Sequence, residues 1–67
     1  MNLGKMIADK RKALGLTQQM LAQELNISPQ AISKWENGTS YPDVTLLPKL
    51  AAVLHTSADC LLGYPSQ

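Results

Sequence analysis

The sequence predicts an all-α domain, compact and built from five short helices, and three observations carry that reading. Leu, Ile, Ala and Met dominate the 45% of residues that are apolar, and there is no Phe. Straight-chain residues and Ala lose little freedom in a helix, whereas the β-branched and aromatic residues that favour strands are scarce here. Helix start and stop signals recur along the chain with only brief stretches between them, as expected for helices packed against one another.

Taken in order, the first helix is expected over residues 3–14, with Leu3, Ile7 and Leu14 on one apolar stripe and Met6 beside it. Gly15 ends it as a residue suited to left-handed backbone, and Leu16 folds back as an apolar contact. Thr17 is an N-cap residue for a second helix over 18–25 that buries Leu21, Ala22 and Leu25. Asn26 tolerates turn conformations, and Ser28 followed by Pro29 is a cap with proline at the first helical position. A third helix over 29–36 therefore points Ile32 and Trp35 inward and stops at Asn37-Gly38. Residues 39–43 form a loop held extended at Tyr41-Pro42. Proline inside a helix costs roughly 3 kcal/mol, so Pro48 places the regular part of the fourth helix over 47–54, with a looser turn before it. Leu47, Leu50, Ala51 and Leu54 give its apolar face. Ser57 caps a fifth helix reaching about Leu62, and Gly63 with Pro65 closes the fold.

Length and composition bound the rest. Sixty-seven residues without a linker or repeat are expected to form one domain, 1–67. A chain this short buries only about 60% of its unfolded surface, so it needs an economical core or a second copy. The longest apolar run falls far below the roughly 20 residues that a bilayer requires. Lys5, Asp9 and Lys10 come too early for a signal peptide. Cys60 is the only cysteine, which rules out an intrachain disulfide and fits a reducing cytoplasm. One His and one Cys cannot build a zinc site within one chain, and no cofactor is expected.

The second and third helices carry the chemistry. Two capped helices so close in sequence, the second turned outward, form a helix-turn-helix, the unit that inserts a helix into the major groove of double-stranded DNA. Residues three and four apart share a helix face, so Gln30, Ser33, Lys34 and Asn37 form one polar stripe opposite Ile32. Gln30 offers the donor and acceptor that pair with adenine N6 and N7, and Lys34 can donate to guanine or neutralise a phosphate. Ser33 is short enough to serve a base edge or a phosphate. Thr17, Gln18 and Gln19 open the second helix, whose unpartnered N–H groups attract a phosphate. That helix would hold the backbone while the third reads bases. A net charge of +1 predicts modest non-specific affinity.

Blander readings stand beside these. A polar stripe on a short helix is usually a solvated face; the caps, the tight turn and the Asn-Gly stop together favour function. The run Lys10–Lys12 fits a solvated face as well as a second phosphate contact. Trp35 reads as core with its indole N–H near solvent or phosphate, and the Met residues as fillers. His55 and Cys60 are the one pair that could suggest nucleophilic catalysis, but no acidic orienter or oxyanion loop accompanies them, so an enzyme is not expected. Cys60 reads as a small core residue and His55 as a group favourable to a helix C-terminus. An interaction module or antitoxin component on the same fold is the alternative to a DNA-binding regulator. A protein-binding face would expose more Leu, Met or aromatic surface than this stripe does.

Taken together, Arg11, Leu14-Gly15-Leu16-Thr17-Gln18, Leu21-Ala22, Ile27-Ser28, Ile32-Ser33-Lys34-Trp35-Glu36-Asn37-Gly38, Pro42, Leu50-Ala51, Leu54 and Leu61-Leu62-Gly63 resemble the lambda-repressor-like helix-turn-helix family, the Cro and phage-repressor type. The resemblance covers nearly the whole chain and is most specific over 14–38. It implies a five-helix fold, sequence-specific DNA binding in transcription regulation, commonly repression, and a homodimer on a palindromic operator. By resemblance, Gln18 contacts phosphate and braces the base readers. Pro29, Gln30 and Lys34 occupy base-reading positions, and Ser28, Ser33 and Asn37 approach phosphate or bases. Pro29 departs from the polar residue many relatives carry and offers apolar contact, for instance to a thymine methyl. Arg11 and Glu36 match a pair that bridges the first and third helices. The apolar surface expected to serve a dimer is Leu61, Leu62, Tyr64 and Pro65.

Overall fold

The computed structural model describes residues 2–61, apart from the side chain of Asp59. Among them there is no strand. Four helices, α1 (Leu3–Ala13), α2 (Gln18–Leu25), α3 (Pro29–Glu36) and α4 (Leu47–Val53), are joined by short turns, and the expected fifth helix is a single turn, α5 (Ala58–Leu61).

Each start is made by the side chain its position favours. Asn2, Thr17 and Ser28 accept from the backbone N–H groups of Lys5, Met20 and Ala31 at 2.9, 3.0 and 3.3 Å, meeting donors that the first turn leaves without partners. Ser57 caps α5 in the same way, accepting from Cys60 N–H at 3.0 Å. The difficulty posed by Pro48 is met by a 3-10 turn over Val44–Leu46, capped by Asp43, after which Pro48 falls in the first turn of α4. There its missing N–H would have had no partner.

One closure ends all four longer helices. The residue after the last turn takes left-handed backbone, and the next N–H reaches back to a carbonyl five residues earlier. Gly15, Asn26, Gly38 and His55 have φ of +72°, +59°, +82° and +57°. Leu16, Ile27, Thr39 and Thr56 donate to the carbonyls of Arg11, Ala22, Lys34 and Ala51 at 2.9–3.0 Å. His55 therefore serves as the left-handed stop at the end of α4.

The core joins Ile7 of α1, Leu21 and Leu25 of α2, Ile32 and Trp35 of α3, Leu47, Leu50 and Leu54 from α4 and its end, and Leu61 of α5. Several expectations are corrected here. The buried stripe of α1 is Leu3, Gly4, Ile7 and Arg11. Leu14 follows the last helical turn and is 38% exposed, because a stripe of four-residue steps from Leu3 reaches position 11 and the helix ends before the next. Met20 is exposed on the outer side of α2, so it fills no gap, and Cys60 is only half-buried. Leu61 is fully buried and offers nothing to a partner. Leu62, Gly63, Tyr64 and Pro65 lie outside the described residues. No described helix is long and apolar enough to cross a membrane.

Candidate nucleic-acid interface

The candidate interface comprises the start of α2 and the outer side of α3, and both are positioned by one part-buried ion pair. Arg11 of α1 grips Glu36, the last residue of α3, through Nε to Oε2 at 2.7 Å and Nη2 to Oε1 at 3.0 Å. Its third nitrogen, Nη1, donates to the Leu16 carbonyl at 2.8 Å. Gln18 Nε2 adds a bond to Glu36 Oε1 at 3.1 Å. A guanidinium has donors in a rigid fork, so it can hold a carboxylate bidentately while a further N–H fixes a turn. The α1–α2 turn, the first residue of α2 and the end of α3 are thus fastened to one another.

Burial pushes the Glu36 carboxyl up, but the hydrogen bonds from Arg11 and Gln18 and the charges of Arg11 and Lys12 outweigh it. The group is held below its ordinary value of 4.5. Lys12 is exposed and Arg11 buried, so the central member of the basic run belongs to the scaffold.

A close approach adds to this registration. A Cβ placed on Gly4 would lie 2.2 Å from the Trp35 carbonyl oxygen and 2.9 Å from that of Glu36. Such separations lie well inside van der Waals contact, so only a residue without a side chain lets α1 cross the end of α3 at this distance. Gly4 was not among the residues singled out from the sequence. A glycine inside an otherwise regular helical pattern is the signal that would have found it.

With α3 held this way, Ile32 and Trp35 face the core while Pro29, Gln30, Lys34 and Asn37 are exposed and Ser33 is half-buried. The polar stripe is open along its length. Thr17 and Gln19 are exposed at the start of α2, and Gln18 is half-buried in the network described above. The hydroxyls of Thr17 and Ser28 already accept backbone N–H groups as caps, which leaves their O–H groups to donate. Asn37 Oδ1 accepts from both the N–H (3.1 Å) and the hydroxyl of Thr39, so the remaining hydrogen-bonding capacity of that side chain is largely its N–H₂ group. Thr39 is a further contributor that the sequence reading passed over; an Asn with Thr two residues on is a turn signal of this kind. Arranged so, the surface offers donors at both ends, for phosphate, and a donor–acceptor amide at Gln30 suited to a base edge.

Known proteins are similar to this chain in sequence and in fold. The chain is 38% identical over 63 residues to the HTH-type transcriptional regulator ImmR of Bacillus subtilis, covering 94% of this chain and 50% of the relative. It is 36% identical over 63 residues to the cryptic phage CTXphi transcriptional repressor RstR of Vibrio cholerae, covering 94% and 56%. It thus spans about half the length of these curated relatives. The fold superposes on the P22 c2 repressor, solved in complex with a synthetic operator, with a TM-score of 0.90 and 32% identity over 97% of this chain and 98% of that one. The family described as helix-turn-helix matches residues 7–59. With its two capped helices, its Arg11–Glu36 brace and an open face on α3, the chain belongs to the helix-turn-helix family, in its lambda-repressor-like form.

Proposed function

We propose that the chain is a sequence-specific DNA-binding regulator of transcription, acting as a repressor, that inserts α3 into the major groove. The observation that carries this reading is the open stripe of Pro29, Gln30, Ser33, Lys34 and Asn37 on a helix whose opposite side is locked into the core. Gln30 reads a base edge, with adenine the best match for its paired donor and acceptor. Lys34 donates to guanine or to phosphate, and Pro29 meets an apolar group such as a thymine methyl. Gln18, Gln19 and Thr17 hold the backbone at the start of α2, where N–H groups and the helix dipole favour an anion. Ser28 and Asn37 flank the reading helix as donors to phosphate. The protein acts by binding, not as an enzyme. Two copies on a palindromic operator would double the few contacts that one such helix can make and gain avidity from their linkage on one duplex. The similarity to repressors, one of them solved on its operator, supports the same reading.

Selection from a randomised duplex library, followed by footprinting, tests it. A recovered motif with protection centred on the major groove is the expected result. An unenriched library, with retention on DNA that salt abolishes for every sequence alike, would sink the sequence-specific reading.

A further inference from the structure

The stop of α3 is an Asn-Gly step, and its chemistry reaches beyond ending a helix. In such a step the glycine's backbone nitrogen can attack the asparagine side-chain carbonyl. Cγ of Asn37 gains a bond to the Gly38 nitrogen and loses its bond to Nδ2. The Gly38 N–H proton leaves with Nδ2 as ammonia. Water then opens the five-membered imide at either carbonyl and leaves aspartate or isoaspartate. Glycine is the favourable neighbour because it has no Cβ to obstruct the attack. The chain's other asparagines, Asn2 and Asn26, precede the bulky Leu3 and Ile27.

The structure exposes this step and orients it. Asn37, Gly38 and Thr39 all face solvent. Oδ1 of Asn37 accepts from the Thr39 N–H at 3.1 Å and from the Thr39 hydroxyl. Two donors on one carbonyl oxygen stabilise the negative charge that attack at Cγ develops there. Nδ2, the leaving group, makes no hydrogen bond with another described residue. The attacking nitrogen is held by the Trp35 carbonyl at 3.2 Å, and a Cβ placed on Gly38 would meet nothing within 4 Å. The backbone therefore has room to turn when that bond opens, and helix ends open at low cost.

We infer that Asn37 deamidates in the folded chain and that the change switches off the DNA contact proposed for α3. The consequence for DNA rests on that proposed function; the bond exchange does not. With Oδ1 held by Thr39, the new carboxylate oxygen takes the place of Nδ2. A donor suited to phosphate becomes an anion that phosphate repels. The charge also stands at the C-terminus of α3, where the helix dipole disfavours it. Bound DNA covers the same group, so free copies convert faster than engaged ones.

Tryptic peptides of the folded chain, kept warm at mildly alkaline pH for several weeks, read the conversion by mass. A sample unfolded in urea sets the intrinsic rate. Amide-to-acid change is expected at Asn37, in the peptide spanning 35–49, and not at Asn26. Gly38→Asn retains a residue that tolerates left-handed backbone and is expected to slow the conversion about tenfold. Converted chain, separated by ion exchange, is expected to bind a selected duplex about tenfold more weakly than unconverted chain. Asn37→Asp is expected to bind as weakly, with circular dichroism checking that its helices stay intact. Asn37 unchanged in the folded chain after the unfolded sample has converted would overturn the inference. So would a Gly38→Asn rate equal to that of the unaltered chain, or a converted chain that binds like the unconverted one. A fresh chain that selects no duplex sinks the DNA-binding reading and the switch with it, and that failure shows before any conversion.

Discussion

Gln30 stands on the exposed side of α3 with an amide free to pair on both its edges, and the proposed base reading rests on it more than on any other side chain. Gln30→Ala is expected to relax preference at one operator position and to weaken binding there by about 1–3 kcal/mol. Binding measured across a set of duplexes varied at each position checks this; an unchanged preference profile counts against Gln30 as a reader. At the opposite side of the same helix the limiting residue is Gly4. Gly4→Ala would drive a methyl group into the Trp35 and Glu36 carbonyls, and backbone cannot swing aside as a side chain can. The expected loss is about 1–3 kcal/mol of stability, seen as a lower urea midpoint. Ala is the better helix former, so a gain in stability would show that the two helices are not in contact as described.

Among the elements, α1, α2 and α3 answer to the ion pair that joins them. Because the Glu36 carboxyl is held below 4.5 in the folded chain, the unfolded state binds the extra proton as the solution is acidified. The stabilisation is therefore complete above the unfolded value and disappears as pH falls through the lowered one. Urea midpoints taken between about pH 3 and pH 7 should fall on the acid side, and Glu36→Gln should flatten that limb. Near neutrality the same substitution is expected to cost about 1–3 kcal/mol, since it leaves the buried Arg11 fork with a poorer acceptor. An acid limb as steep in Glu36→Gln as in the unaltered chain would assign it to other carboxyls. The four helix stops repay comparison too. Gly15 and Gly38 announce themselves by residue type and Asn26 is a recognised substitute. His55 adopts the same backbone without any such sign, because the carbonyls of Ala51 and Ala52 are closed from outside by the following N–H groups.

For the molecule as a whole, charge placement matters more than the net +1. Of the cations, Arg11 is consumed by Glu36, and Lys34 alone stands on the outer side of α3. The salt dependence of the proposed DNA binding should accordingly be shallow. Lys34→Ala should reduce its slope by about one unit if the ammonium meets phosphate. If Lys34 reads guanine instead, the slope stays and one base preference relaxes. Titrations of one duplex at several salt concentrations separate these outcomes, and no change of either kind would remove Lys34 from the interface.

The helices were legible in the residues because caps, stops and three-to-four-residue spacing act within one or two turns. α2 and α3 accordingly fall where Thr17, Ser28-Pro29 and Asn37-Gly38 place them, and the open stripe follows from their periodicity. The Arg11–Glu36 pair was legible by resemblance alone, since 25 positions separate its members and no local rule connects them. Tertiary packing alone decided which candidates stayed at the surface. It sank Leu61, let Gly4 touch the end of α3 and set Gln18 on Glu36. Such outcomes depend on how distant helices meet, and a local pattern of residue types does not contain that geometry.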